Sequence, residues 1–344
     1  VAEIGIQAGC INFDERVLDV TKVALFGCGA WGRNLARNLA GLDALKLIVD
    51  PSDAAQLVGE QLGIPVVADV EQALTDPEIV GIVVATPAST HFAVAAAAIA
   101  AGKDVYVEKP IALSVDEGRQ MAAMAKAAGR ILMVGHLLHY HPVYRALADL
   151  VQAGRLGRVR HITSSRMNLG MLRHEENVLW SFSPHDMSMV LGLVDEAPQA
   201  VATIGSDFFQ PGVADVTTAH LRFASGLTAD IRASWFNPEK DQKLVVVGDR
   251  AMAVFNDTAP WPEKLVIHDY HIEHIGPRPK AVRGEAETIS VPQGEPLKLE
   301  MQHFLDCIAT RTTPRTDAEE AIMVLGVLQA AQGSLDRRGE WVDV

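Results

Sequence analysis

Cysteine is scarce in this chain: Cys10, Cys28 and Cys307 are the only three in 344 residues, widely spaced, odd in number and without a CxxC pair. That excludes a disulfide framework and fits reduced thiols in a cytoplasmic protein. Positive charge is also in short supply. Thirty basic residues stand against 43 acidic ones, a formal net charge of −13, which argues against a nucleic-acid binder held by phosphate neutralisation. A small anionic ligand stays open, because one local site decides that. No run reaches the ~20 apolar residues of a membrane span, and the longest, "AVAAAAIAAG", is short and alanine-rich. The first twenty residues lack the basic start and unbroken apolar core of a signal peptide. What is present, 49% hydrophobic and 21% charged residues, suits a soluble globular protein of about two domains.

From Lys22 onward, apolar runs of strand length alternate with alanine-rich stretches of helical period. This is the pattern of a parallel sheet wrapped by helices. The expected strands are "KVALF", "LKLIVD", "PVVAD", "GIVVATP", "DVYVEKP" and "RILMVGH". Trp31, Leu35 and Leu39 form an expected apolar stripe on the first helix. "SVDE" reads as a capping box that starts a helix near Val115. After "HPVYRALADLVQAG" the runs become longer, β-branched and alternating, which predicts a largely antiparallel sheet with a hairpin turn at "ASGL". A loop-rich segment around "APWPEK" and "IGPRPKAVRG" is expected next, then two closing helices. The organisation read from this is an extension over residues 1–20, a dinucleotide-binding Rossmann domain over 21–140, and an α+β domain with a large, mostly antiparallel open sheet over 141–344.

"VALFGCGAWGRN" places Gly27, Gly29 and Gly32 at GxGxxG spacing, directly after a strand and opening a helix. Such glycines allow a tight turn, close approach of the backbone to a pyrophosphate, and close packing of helix on strand. A second strand ends in Asp50, an acid placed to meet ribose hydroxyls. Asp50 repels a 2'-phosphate and "PSD" after it offers no arginine, so NAD is expected rather than NADP, although Arg33 could reverse that.

These glycines, Asp50, "ATPASTH", "EKP" and the closing "TDAEEAIMVLGVLQAAQGS" together resemble the Gfo/Idh/MocA family of sugar and cyclitol oxidoreductases, over about residues 22 to 340. The resemblance implies cofactor contacts from Gly27, Gly29, Ala30, Trp31, Gly32, Asp50, Thr86, Pro87, His91, Glu108 and Lys109. It also implies that Lys109 lies beside the nicotinamide and the substrate hydroxyl, with a cis bond before Pro110. As a cation beside NAD⁺ this lysine would have a lowered pKa and could polarise or deprotonate a hydroxyl. The alternative is a surface lysine paired with Glu108. The family's catalytic histidine at a helix start maps to His185, where Ser183 can cap, Pro184 fits the first helical position and the helix dipole would favour neutral imidazole. The family's neighbouring acids are replaced by Ser181 and Ser188, which leaves the division of labour between Lys109 and His185 open.

His136, His139 and His141 end the sixth strand, with His136 expected to touch substrate. A metal site there, or at His268, His271 and His274, is disfavoured, so no metal is expected. Arg166, Asn168 and Arg173 precede His185, and the arginines could grip an anionic tail or merely form surface ion pairs. "SRMNLG" and "ENVLWSFSPHDMSM" are similar to the branch of the family acting on nucleotide-linked amino sugars, which implies oxidation at the 3-hydroxyl of a UDP-N-acetylhexosamine or its uronic acid. A free-sugar or inositol dehydrogenase is the enzyme alternative. A non-catalytic NAD-binding sensor or scaffold is the other, supported by the missing acids and opposed by the presence of Lys109 and His185. The resemblance also implies that the open sheet joins subunits, as a homodimer or homotetramer.

Overall fold

The computed structural model describes residues 21–344 apart from 171, 175, 195, 276 and 277. The extension over residues 1–20, with Cys10, lies outside the described residues.

The first half alternates strands and helices: β1 Lys22–Phe26, α1 Gly32–Gly41, β2 Leu45–Val49, α2 Asp53–Leu62, β3 Val66–Val67, α3 Glu71–Leu74, β4 Ile79–Val84, α4 His91–Ala100, β5 Asp104–Glu108, α5 Val115–Ala128 and β6 Leu132–Gly135. All pairs in this six-stranded sheet are parallel, in the order β3-β2-β1-β4-β5-β6. That is the doubly wound order, whose switch point lies between β1 and β4, where a crevice opens beyond the strand ends. The strand centres are apolar because both faces are covered, the charged residues being Lys22 and Lys46 in the opening positions of β1 and β2 and Asp104 and Glu108 at the two ends of β5. "PVVAD" gives only the two-residue edge strand β3. The expected Trp31 stripe is corrected: Leu35 and Leu39 are buried on the sheet, but Trp31 precedes α1 and is 41% exposed. Ser114 caps α5 through the amide of Glu117, while the Glu117 carboxylate reaches Leu113 N, one residue before the cap.

The second half runs α6 Pro142–Gln152, β7 Val159–Leu169, α7 Val178–Leu191, β8 Pro198–Ser206, β9 Val216–Phe223, β10 Thr228–Ser234, β11 Phe236–Gly248, β12 Ala251–Asn256, β13 Leu265–Ile275, β14 Arg278–Thr288, α8 Pro296–Thr310, α9 Ala318–Asp336 and β15 Val342–Asp343. Its nine-stranded sheet has the order β14-β13-β12-β11-β7-β10-β9-β8-β15, antiparallel except where β10 lies parallel to β7. The expected loop after "APWPEK" is overturned: β13 and β14 pair as a long antiparallel hairpin. Pro279 argues against a central strand, but β14 is an edge strand, where a missing amide donor costs no ladder bond.

The two closing helices return to the first sheet. On α8, Leu297, Met301, Phe304 and Ile308 cluster with Val23, Leu25 and Ile48, each apolar side chain so buried contributing about 1.5–3 kcal/mol. The chain entering α9 is stitched to the edge strand β6: Val134 N donates to Thr316 O at 2.8 Å and Thr316 Oγ1 donates to Val134 O at 2.7 Å. This stitch sets the first turn of α9 over the end of β6.

Candidate active site

At the switch point a cleft of about 400 Å³ is lined by Gly27, Gly29, Val49, Asp50, Pro51, Ala85, Thr86 and Pro87, a volume suited to a small-molecule ligand. Gly27 has φ +88°, and a Cβ there would stand 2.7 Å from Ala85 O. A Cβ at Gly32 would overlap the Gly27 carbonyl, whereas Gly29 faces open space. This is a backbone cradle with room for a pyrophosphate beside the uncapped start of α1, where helix donors favour negative charge. Asp50 Oδ2 accepts from Cys28 N at 2.7 Å, and Oδ1 accepts from Ser52 N and Oγ at 2.8 and 2.6 Å. Burial alone would raise this carboxyl's pKa, but the three bonds outweigh it and hold it below the ordinary value, so the acid is anionic where a ribose would lie. It also anchors the glycine turn. The residues present therefore fit NAD.

Trp31 does not reach into that cradle by its indole N–H, which donates to Glu108 Oε1 at 2.6 Å; Tyr106 OH donates to the same oxygen at 2.9 Å. Glu108 is buried, and burial raises its pKa against the opposing effects of these donors and of Lys109. His91 is likewise buried, its Nδ1 facing Pro110 O at 2.8 Å and its Nε2 facing Thr86 O at 2.9 Å. The ring clamps the turn after β4 to the turn after β5. Thr86 and Pro87 line the cleft itself, and Ala30 sits in the glycine turn.

The Lys109-Pro110 bond is cis. Lys109 is not a surface lysine paired with Glu108: it is half-buried, and its Nζ donates to Ser181 O on α7 at 3.1 Å. Burial lowers its pKa, Glu176 and Glu108 oppose that, and Arg173 and Arg166 reinforce it.

His185 is brought to the same place, but by a different local structure from the expected one. Asn177, not Ser183, caps α7 by accepting from Trp180 N, and Pro184 lies inside the helix. His185 is thus two turns in, beyond the reach of the helix-end charge. Its pKa is nonetheless pushed well below the ordinary histidine value, by burial first and then by Lys109, Arg166 and His136. Burial and these neighbours, not the helix end, therefore favour the neutral ring. Its enclosed Nδ1 has no partner among the described residues, nor do the side-chain oxygens Asn168 Oδ1 and Ser181 Oγ nearby in sequence.

The two arginines separate. Arg166 donates through Nε to the buried Asp186 at 2.7 Å, and Ser164 Oγ donates to the other oxygen of that acid at 2.5 Å. Arg173 is exposed and pairs with Glu176 at 2.8 Å. His136 is buried at the end of β6, its Nδ1 2.5 Å from Glu320 Oε2. Ser188 Oγ donates to Glu320 Oε1 at 2.9 Å, and His139 Nε2 bonds Ser188 O at 3.1 Å. Glu320 is a residue that the motifs do not single out. Asp317-x-x-Glu320 reads as ordinary helix capping, and Asp317 does cap Glu320 N at 3.0 Å, but the glutamate side chain turns to the histidine. Among the described residues no group of three or more potential metal ligands occurs, and none of the helices is long and apolar enough to cross a membrane.

Comparison with known proteins follows the same lines. A family model described as an oxidoreductase family with NAD-binding Rossmann fold matches residues 21–136, and the GFO/IDH/MocA C-terminal domain model matches residues 144–254. The chain belongs to the Gfo/Idh/MocA oxidoreductase family. Membership makes it an NAD-binding oxidoreductase of the class that acts on CH–OH groups. Relatives in the family include the scyllo-inositol 2-dehydrogenase (NAD(+)) of Bacillus subtilis, 26% identical over 334 residues covering 91% of this chain and 93% of that protein. Another is the UDP-N-acetylglucosamine 3-dehydrogenase of Acidithiobacillus ferrooxidans, 29% identical over 299 residues covering 84% and 88%. A solved structure of the latter enzyme superposes with a TM-score of 0.80 at 25% identity, over 92% of this chain and 98% of that one.

Proposed function

We propose that this protein is an NAD-dependent dehydrogenase of a nucleotide-linked amino sugar, acting at the 3-hydroxyl of a UDP-N-acetylhexosamine or its uronic acid. The observation that carries the catalytic part is the meeting of Lys109 and neutral His185 beside the glycine cradle. Bound NAD supplies the hydride acceptor, held by the glycine turn, Asp50 and the Thr86-Pro87 turn. Lys109 exchanges its bond to Ser181 O for the substrate oxygen and stabilises negative charge there as the hydroxyl proton departs. His185, neutral and with a free acceptor, receives a hydrogen bond from the same hydroxyl. Buried Asp186 keeps Arg166 beside them, so that its remaining N–H donors face an anionic group.

The nucleotide-linked substrate is supported by Arg166 and Arg173 on the approach to Lys109 and by the likeness to the UDP-N-acetylglucosamine enzyme. A cyclitol is the second reading, favoured by the similarity to the inositol enzyme over nine-tenths of both chains. The deciding experiment is NADH formation from a panel of UDP-N-acetylhexosamines, their uronic acids, the free sugars and inositols. If a remote diphosphate is used to orient the ring, a free N-acetylhexosamine loses kcat as well as affinity. Arg166→Ala would strand a buried carboxylate, so Arg173→Ala is the cleaner variant. It should weaken the nucleotide sugar by ~1.5–3 kcal/mol and spare a free sugar; equal turnover of both substrate classes would give the site to a free sugar or cyclitol instead. Cytoplasmic location and assembly as a homodimer or homotetramer belong to the same reading, the second checked by light scattering.

A further inference from the structure

Glu320 is a half-buried acid with a job that helix capping does not explain. It occupies the first turn of α9, where the helix end favours an anion, and the Thr316 stitch to Val134 fixes that turn over the end of β6. Gly135 is paired with Glu108 across β6 and β5, so His136 and Lys109 leave neighbouring strands side by side. Glu320 holds His136 by Nδ1 and is itself held by Ser188 Oγ. A carboxylate at Nδ1 requires a proton there, which leaves Nε2 as the nitrogen that gains or loses one. Among the described residues nothing bonds Nε2. Ser188 stands where the related pattern has an acid, and its hydroxyl donates to the carboxylate that α9 brings in.

We propose that Glu320 and His136 form the acid–base pair of this site, with the hydroxyl proton ending on Nε2 of His136 and Glu320 acting as its positioning residue. The proposal rests on the dehydrogenase reading above. In that oxidation the substrate C–H bond breaks with its electron pair, hydride passing to NAD⁺ to give NADH; the O–H bond breaks and C=O forms. The proton left over is the one assigned here. His185 is a poor final holder, since burial and the charges of Lys109 and Arg166 keep it neutral and its Nδ1 has no partner to stabilise an imidazolium. Glu320 is suited to holding a protonated His136, because it stays anionic. Burial would raise its pKa, but His136, His139 and Ser188 together bring it below the ordinary value. The other titratable groups whose charge reaches the pair are His139 after β6, with its Nε2 3.7 Å from Glu320 Oε1, Tyr144 on α6 and His185 on α7.

Two measurements test this. In the full chain labelled with ¹⁵N-histidine and without substrate, the neutral His136 ring should carry its proton on Nδ1 and leave Nε2 bare; a resting form protonated at Nε2 with Nδ1 bare would overturn the pair. With the best substrate of the panel, Glu320→Gln should bind NAD⁺ normally and leave KM little changed, yet lose roughly 10²-fold in kcat. The acid limb of its kcat/KM profile should move to lower pH, and Glu320→Asp should recover part of the rate. Unchanged kcat and an unchanged profile in Glu320→Gln would overturn the proposal. Absence of turnover with every sugar in the wild-type protein would instead sink the dehydrogenase reading, and the histidine spectrum would still decide the pair.

Discussion

Lys109 and His185 share one electrostatic situation: burial lowers the pKa of both, and the charge of Lys109 further lowers that of His185. Replacing either by alanine should cut turnover by roughly 10²-fold or more while NAD⁺ binding, measured by titration, stays nearly intact. Full activity in one variant would remove that residue from the chemistry. Asp50 acts at the other end of the cofactor. Its carboxylate sits where a 2'-phosphate would go, so NAD⁺ should bind more tightly than NADP⁺ and Asp50→Ala should narrow the gap; equal affinities in the unmutated protein would refute this. His139 makes a prediction about pH. Burial, with help from His136 and Arg315 and against Glu320 and the Ser188 carbonyl, lowers its pKa to about 4. The unfolded chain binds this proton from about pH 6.5 downward, while the folded chain resists until about 4. Stability should therefore fall as pH drops between those values, by roughly 3 kcal/mol from this residue, and stop falling on its account below them. Urea midpoints for His139→Gln should vary less steeply over that window than those of the wild type.

Elements rather than residues explain what can be read from the chain in advance. The GxGxxG turn, the EKP turn and the doubly wound sheet are legible because each is local: a strand, a turn and a helix adjacent in sequence. The start of α7 misleads because "SPHD" has every local mark of a helix opening, yet Asn177 caps six residues earlier and tertiary packing carries the helix through Pro184. The buried face of α7, packed against α9 and β10, outweighs the proline's lost bond. Glu320 is illegible for a further reason, since 184 residues separate it from His136 and no periodicity links them. The Thr316 stitch is the device that joins them, and it can be broken alone. Thr316→Val removes a donor to Val134 O and the partner of Tyr140 OH at 2.9 Å, which should cost about 1–3 kcal/mol of stability. With α9 held to β6 there only by the backbone bond from Val134 N to Thr316 O, kcat should fall more than KM rises. Thr316→Ser, which keeps the hydroxyl, should restore both; a valine variant as stable and active as wild type would mean that packing alone sets the position of α9.

At the scale of the whole molecule the two sheets do not have separate cores. Val84, Val107 and Val134 of the first sheet belong to one apolar cluster with Leu179 and Val190 of α7, Ile162, Leu221 and Val246 of the second sheet, and Val324 and Leu328 of α9. The site lies along this seam, since Lys109 and His136 come from the first sheet, His185 from α7 and Glu320 from α9. A shared core predicts that the halves unfold together, because exposing one half would strip apolar surface from the other. Four of the five tryptophans, Trp180, Trp235, Trp261 and Trp341, lie in the second half, while NAD binds the first. Tryptophan fluorescence and far-ultraviolet circular dichroism should therefore show the same thermal midpoint. NAD⁺ at 100 times its dissociation constant adds about 2.7 kcal/mol to whatever unit it binds, which for a chain of this length is a rise of roughly 3–4 °C. If the shared cluster couples the halves, the fluorescence midpoint of the second half rises with the dichroism midpoint. Two midpoints, with only the one not reported by fluorescence moving on addition of NAD⁺, would show instead that the seam is an interface between independently stable domains, and that the site is assembled by docking rather than by folding.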